Sequence, residues 1–539
     1  MISRSSPFDR RIRDVGLLVL AVAGCRTATP SGTRSAPSER RSEPVAPLMM
    51  PAAVASAPMR DRDRVRELAD SAINAPMWAN AHWGVIIVDA ISGDTLFSHN
   101  ADKLFMPASN QKLMTGAIAM QHLGPAYVWR TPVLLRGRQR GADWEGDLLL
   151  AGSGDPSFSD TLRSGDAASA FDPIVAALRA RGITRITGTV RAHGDAFTGP
   201  TTGFGWEIDD LDASYGAPVD ELMFNEGELR LKVRAGASPG DAVIVSERLS
   251  GYPRVLNLGV TRGDVGINPA AGARGGTADG DRLRAAYDSI GDRMVLSGSL
   301  ATGDSASFTV SYRHPADAVF AEVAARLRAN GISVRGDSLL ALPAPALDTV
   351  TVLESPPLSV VLPRMQKPSQ NQIAELLFRT SGLRVSGSGS ADSARAVGTR
   401  TLAAWGIRNE DVAYRDGSGL SRHDYVTPRA LLRTLDAMRR APWFDAYRNA
   451  LPLAGVDGTL RSRMRGTAAA ENARAKTGTV DKARSLSGYV TSADGRLVMF
   501  SMLANNFTVP TREVERVQDL LVVALANAHL ADSVSNPTR

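Results

Sequence analysis

The sequence predicts a mixed α/β domain interrupted by a large, mainly β insertion, and three observations carry that expectation. Helix and strand patterns alternate from about residue 60. Short strand-like runs then dominate 136–346, punctuated by Gly, Asp and Pro. The mixed texture returns after 358. The expected domain thus comprises 60–135 and 347–539, with 136–346 inserted. A length of 539 residues with 43% hydrophobic content and a net charge of only +6 excludes a disordered chain.

The first part opens with a helical stretch through Val65, Leu68 and Ile73. His82–Asp89 reads as a strand, Ser92-Gly93-Asp94 as a turn, and Thr95–Ser98 as the hairpin partner. Pro107 opens an apolar-periodic helix through Leu113, Ile118 and Leu123 that stops at Gly124. In the insertion the expected strands are Asp147–Leu150, Ile186–Ala192, Leu229–Val233, Ala242–Val245, Met294–Leu300 and Ser307–Tyr312. Helices are expected near 171–181 and 316–329. Strands at Leu486–Thr491 and Leu497–Leu503 and a helix near 512–530 close the chain.

The ends and the single cysteine form a separate story. Arg4, Arg10, Arg11 and Arg13 precede an apolar run from Val15 to Ala23, too short to span a bilayer. It ends Val22-Ala23-Gly24-Cys25, which resembles a bacterial lipobox. Residues 1–24 are therefore expected to be a lipoprotein signal peptide and Cys25 the acylated residue. A stretch rich in Pro, Ser, Ala and Arg, 25–59, reads as a flexible tether. The expected location is extracytoplasmic, with the membrane reached through the lipid anchor only. One cysteine also excludes a disulfide framework and thiolate-rich metal sites.

Of 62 basic residues only six are lysines: 103, 112, 232, 367, 476 and 482. Such scarcity draws attention to them, because an ammonium can be tuned to lose its proton and a guanidinium cannot. Ser109-Asn110-Gln111-Lys112 lies in the first turns of the helix opened by Pro107. Its i, i+3 spacing brings hydroxyl and amine within reach. A serine needs such a base to become a nucleophile. On its own the tetrapeptide is equally a polar helix start. Lys476-Thr477-Gly478-Thr479 precedes a strand, so a sheet-edge placement is natural. There it can offer a cation and a hydroxyl to a carboxylate, while Gly478 allows close approach. Ser369-Gln370-Asn371 precedes an apolar helix through Ile373, Leu376 and Leu377, and alone would be an ordinary cap.

With S-x-x-K, S-x-N and K-T-G in that order, the chain resembles the low-molecular-mass penicillin-binding proteins of the D-alanyl-D-alanine carboxypeptidase/endopeptidase type (peptidase family S13, the penicillin-binding protein 4 group). Further matching segments are Gly152–Pro156, Tyr215–Val219, Asp416–Arg422 and Ala454–Leu460. The long interval from Ser109 to Ser369 also suits that family. Gln370 departs from its usual Asp, which implies altered hydrogen bonding in that loop with activity kept.

The resemblance implies a serine β-lactamase/D,D-peptidase-like domain, an antiparallel sheet with flanking helices. It implies a penicillin-sensitive serine-type D-Ala-D-Ala carboxypeptidase or endopeptidase acting on peptidoglycan stem peptides, without cofactor or metal, and with β-lactam antibiotics as covalent inhibitors. By the same resemblance Ser109 is the nucleophile and Lys112 its base, kept neutral partly by the cation of Lys476. Ser369 relays a proton to the leaving amine, and Asn371 holds Lys112 and the substrate amide. Lys476 and Thr477 bind the terminal carboxylate, and N–H groups of Ser109 and Thr479 form the oxyanion hole. Lys367 shapes the cleft. Asp155, Asp416 and Ser418 are expected to be structural.

Other chemistries fit less well. Gly236-Ala237-Ser238-Pro239-Gly240 matches G-x-S-x-G but lies between strand-like runs and reads as a hairpin turn. The seven histidines show no metal-ligand spacing. No basic cluster interleaves with aromatics, so nucleic acid is not an expected partner. Two alternatives remain. One is a β-lactamase or esterase using the same Ser–Lys pair, for which no deacylating base is evident. The other is a catalytically silent peptidoglycan-binding lipoprotein, against which intact Ser109, Lys112 and Lys476 argue.

Overall fold

Alternating burial along one strand organises the catalytic half of the molecule. His82–Asp89 (β1) is buried at every position but the first, so it must be covered on both faces. Val85 and Ile87 point to one side, where they join Val65, Ala69 and Ile73 of Asp61–Ile73 (α1) and Val514, Leu521 and Leu525 of a C-terminal helix. Ile86 and Val88 point to the other, against Leu113 and Ile118 of Gln111–Leu123 (α2), Leu362 of Leu358–Gln366 (α3), Leu377 of Asn371–Ser386 (α4) and Leu431 of Pro428–Arg440 (α5). The C-terminal helix, Thr511–Asn527, is α6.

These residues belong to a computed structural model that describes 60–246, 250–263, 282–288, 291–311, 313–335 and 347–531. The expected signal peptide, Cys25 and the tether lie outside the described residues.

The strands Thr95–His99 (β2), Arg474–Val480 (β3), Ala483–Thr491 (β4) and Leu497–Asn505 (β5) complete an antiparallel sheet in the order β3-β4-β5-β1-β2. The first and last segments of the fold therefore meet at its centre, with Val85 opposite Met502. The K-T-G strand β3 stands at the sheet edge, with Lys476 opposite Ser487. Helices cover both faces. This is the antiparallel sheet with flanking helices that the motifs implied.

The intervening chain builds its own core around Leu135, Leu148, Phe158, Phe171, Ile174, Val319 and Leu353. One sheet orders Ser333–Val334, Arg185–Ile186, Asp143–Leu150, Arg130–Arg140 and Leu347–Glu354, with Val190–Ala192 beside Asp143–Leu150. Among the described residues, two three-stranded sheets and the helices Asp172–Ala180 and Pro315–Ala329 complete it.

Several expected boundaries move. The strand expected over Ile186–Ala192 is two strands, because the Thr187 and Gly188 N–H groups turn to the carbonyls of Trp144 and Gly146, and Thr189 N–H bonds the Asp147 carboxylate. Ala242 makes only an isolated bridge to Val260, and its strand begins at Ile244. Tyr312 lies outside the described residues. The sheet also runs past the expected limits of 136 and 346, since Arg130–Arg140 carries the chain out and pairs with Leu347–Glu354 on its return. Pro132, Gly137 and four arginines hide the first of these strands from a hydrophobic pattern.

Candidate active site

Ser109 sits in a single helical turn, Ala108–Asn110, that runs straight into α2. Ala108 holds φ +48°, a left-handed backbone that costs a residue with a side chain of order 1–3 kcal/mol. The edge strand wedges this turn in place. A Cβ on Gly478 would lie 2.6 Å from Pro107 O and 3.0 Å from Ser109 N, so only glycine lets β3 approach. Ser485 Oγ donates to Pro107 O at 2.7 Å, and Asn110 Nδ2 donates to Lys476 O at 2.9 Å. Ser109 itself is half-buried and accessible.

One turn later Lys112 is fully buried. Its Nζ lies 2.9 Å from Ser109 Oγ, 2.6 Å from Asn371 Oδ1 and 2.7 Å from Ser418 O. As an ammonium it donates to all three. As a neutral amine it has two hydrogens, and the Asn371 and Ser418 oxygens can only accept, so they take both. The lone pair then faces Ser109 Oγ, the one partner with a proton to give. Burial lowers the Lys112 pKa to about 7, against the opposing pull of Asp416, Glu375 and Asp424. Lys476, expected to help keep Lys112 neutral, lies close enough for the two ammonium groups to repel, which disfavours charge on either amine. Burial, Lys112 and Arg484 hold Lys476 well below the ordinary lysine range. That amine is the more isolated of the two, with no carboxylate raising it.

Lys476 is fully buried and donates to Ser369 Oγ at 2.9 Å and to Thr477 O at 2.8 Å. Ser369 adopts φ +67°, a second left-handed residue with a side chain. Ser369 Oγ thus accepts from the Lys476 amine and keeps its own proton available. Gln370 answers for the missing Asp: its side chain caps α4 by accepting from Ile373 N at 3.1 Å. Asn371, expected to hold both Lys112 and a substrate amide, already spends an Nδ2 hydrogen on Tyr215 O at 2.8 Å. Thr477 Oγ1 donates to Thr459 Oγ1 at 2.7 Å, and Lys367 pairs with Asp457 at 2.5 Å. Thr477 and Thr479 open onto a cleft of about 1120 Å³ that continues past Lys367, Arg364 and Arg461 to Glu226 of the inserted part.

The side chains of Ser109, Lys112, Ser369, Asn371 and Lys476 therefore meet beside β3, while Thr477 bonds Thr459 and lines the cleft with Thr479. Two residues of the matching segments contribute in a way the sequence did not show, through the backbone: Ser418 and Tyr215 by their carbonyls, which no side-chain pattern marks. Asp416 accepts from Ser418 N, Gly419 N and Ser421 N, which makes it the organiser of its loop. Asp155 is buried, accepts from Ser157 N at 2.7 Å and has its pKa raised to about 6 by burial.

Comparisons with known proteins follow the same lines. The family model described as "D-Ala-D-Ala carboxypeptidase 3 (S13) family" matches residues 65–528. The D-alanyl-D-alanine carboxypeptidase of Actinomadura sp. (strain R39) is 30% identical over 472 residues, covering 86% of this chain and 84% of that protein. The crystal structure of penicillin binding protein 4 from Haemophilus influenzae superposes with a TM-score of 0.70 at 23% identity, covering 85% of this chain and 99% of that one. The same protein complexed with a β-lactam gives 0.65 at 22% identity, covering 87% and 100%.

Proposed function

The chain belongs to the D-Ala-D-Ala carboxypeptidase 3 (S13) family, and from that premise we propose a mechanism for its D-Ala-D-Ala carboxypeptidase activity in which Ser109 forms the acyl-enzyme. Ser109 Oγ attacks the carbonyl of the penultimate D-Ala of a peptidoglycan stem peptide, and its proton passes to the Lys112 lone pair. The C–N bond then breaks as Ser369 relays to the leaving amine the proton that Lys112 took from Ser109. Water releases the acyl group in a second, reverse-sense step. Lys476, Thr477 and Thr479 receive the terminal carboxylate. The N–H groups of Ser109 and Thr479 stabilise the oxyanion, a contribution typically worth about 3 kcal/mol per donor. A β-lactam amide acylates the same serine.

The single observation that carries this reading is the set of three partners on buried Lys112, which leaves its lone pair on Ser109 Oγ. Incubation with a labelled penicillin and mass spectrometry of the digest tests it. The expected adduct is on Ser109; an adduct on another residue, or none, rejects the mechanism.

A second activity, cleavage of cross-linked peptides, is favoured by the cleft beyond Thr477 and Thr479. A departing D-Ala ends at those threonines, yet the cleft of about 1120 Å³ that they line also reaches the exposed cations Arg364 and Arg461. A longer, carboxylate-bearing leaving strand fits there. The enzyme acts outside the cytoplasm, held to a membrane through acylated Cys25. Loss of membrane partitioning in Cys25→Ala checks the anchor.

A further inference from the structure

Glu375 lies one helical turn after Asn371 on the same face of α4 and is 4% exposed. Its Oε1 accepts two hydrogen bonds, from Gly417 N at 2.9 Å and Ser418 N at 2.8 Å. The carbonyl of that same Ser418 accepts from Lys112 Nζ at 2.7 Å. The Gly417 carbonyl accepts from Thr115 Oγ1 of α2 at 2.6 Å. Gly417 is pressed against the helix so closely that a Cβ would lie 2.6 Å from Phe378 Cβ and 2.7 Å from Ala374 O. One helix therefore supplies both acceptors that claim the Lys112 hydrogens: Asn371 directly, and Ser418 through Glu375.

We propose that Glu375 is a positioning residue for the base, one that fixes the Ser418 carbonyl on Lys112 Nζ and places a carboxylate behind that amine. The proposal rests on the reading of Lys112 as base. The groups that face Lys112 are Glu375 from α4, Asp416 and Asp424 from the 414–424 loop and Lys476 from β3. Glu375 in turn faces Asp416 and Arg379, and burial with the Asp416 repulsion raises its pKa to about 7. The Tyr414 hydroxyl, hydrogen-bonded to Thr115 Oγ1 at 2.9 Å, adds no charge there, because burial raises its pKa well above the ordinary tyrosine range. Glu375 and Lys112 thus sit behind one carbonyl as an acid and a base, the charged form of each disfavoured by burial and favoured by the opposite charge on the other.

The sign of the effect follows. A negative Glu375 raises the proton affinity of Lys112, so removing that charge lowers it. Only neutral Lys112 can accept the Ser109 proton, so the acid limb of acylation moves to lower pH in Glu375→Gln.

The test measures the second-order rate of acylation by a fluorescent penicillin from pH 5 to 9, normalised to sites that titrate. Wild-type labelling on Ser109 comes first, and its failure rejects the base reading before any variant is compared. Glu375→Gln keeps an oxygen for the two N–H groups. Its plateau rate is expected within a few fold of wild type, with the acid limb lower by about half a pH unit or more. Glu375→Ala removes the acceptor as well, and its plateau is expected to fall about tenfold or more. Limbs at the wild-type pH in both variants overturn the proposal. So does a protein in which neither variant folds, since Glu375 then serves the fold alone.

Discussion

Lys112 is the residue on which reactivity and stability pull in opposite directions. Its amine is useful because burial brings its pKa to about 7, and the same burial opposes folding whenever an unfolded chain would protonate it. Between about pH 7 and the ordinary lysine range, the unfolded state holds a proton that the folded state lacks. Stability therefore rises with pH across that window. Lys112→Met removes this dependence. Its melting temperature relative to wild type is expected to be highest below pH 7 and to fall toward pH 10, as differential scanning fluorimetry across pH would record. Penicillin acylation by the same variant is expected to drop by a factor of about 10² or more. In wild type, acylation should fall as pH drops through about 7. Scarcity marked Lys112, Lys367 and Lys476 in the sequence, and spacing paired Ser109 with Lys112. What spacing could not reveal is that two backbone carbonyls, of Ser418 and Tyr215, hold the set together.

At the scale of elements, the site exists because the edge strand β3 and the start of α2 touch with nothing between them. Gly478 makes that contact possible. Gly478→Ala puts a methyl 2.6 Å from Pro107 O, which must push the serine turn away from the strand. Acylation is expected to fall at least tenfold while circular dichroism stays unchanged, because the nearest β4 atom, Ser485 Oγ, is a side-chain end that can rotate away and leave the strand pairing in place. Helix α4 shows a different economy. Gln370 performs the capping that a shorter acid does more directly, since an Asp at this position satisfies N–H groups and also favours the helix dipole. Gln370→Asp is expected to raise the melting temperature slightly with acylation kept within a few fold. Gln370→Ala is expected to cost about 1 kcal/mol in denaturant unfolding. Strands β1 and β5 were legible because both faces of each are buried and their runs are apolar. Arg130–Arg140 was not, because its arginines and its Pro and Gly break the alternation, while its pairing with Leu347–Glu354 spans a separation no local pattern reports.

For the whole molecule, the inserted part is more than an appendage, because α4 docks its carbonyls onto the site. Asn371 Nδ2 reaches Tyr215 O, Gln372 Nε2 reaches Ala217 O at 3.1 Å, and Arg379 bonds the carbonyls of Phe197 and Pro200. From the other side Trp206 Nε1 donates to Asp416 Oδ2 at 2.8 Å, on the loop that presents Ser418 to Lys112. The composition shift in the sequence announced an insertion, but it did not announce that the segment 197–217 would clamp the base. Arg379 is the member of this clamp whose loss is most informative. It is 4% exposed, its guanidinium faces Glu375, and burial lowers its pKa. Arg379→Met keeps the length of the stem and removes the donors and the charge, leaving two carbonyls and the Glu375 carboxylate without that partner. Hydrogen exchange is expected to rise across 197–217 and stay unchanged in the sheet formed by Arg130–Arg140 and Asp143–Leu150, whose core lies elsewhere. Acylation is expected to slow by several fold, since Tyr215 and Trp206 then hold Asn371 and the Ser418 loop less firmly. Faster exchange throughout the inserted part would instead mean that Arg379 supports its folding as a unit. Unchanged exchange in 197–217 would show that Asn371 and Gln372 suffice to hold the clamp.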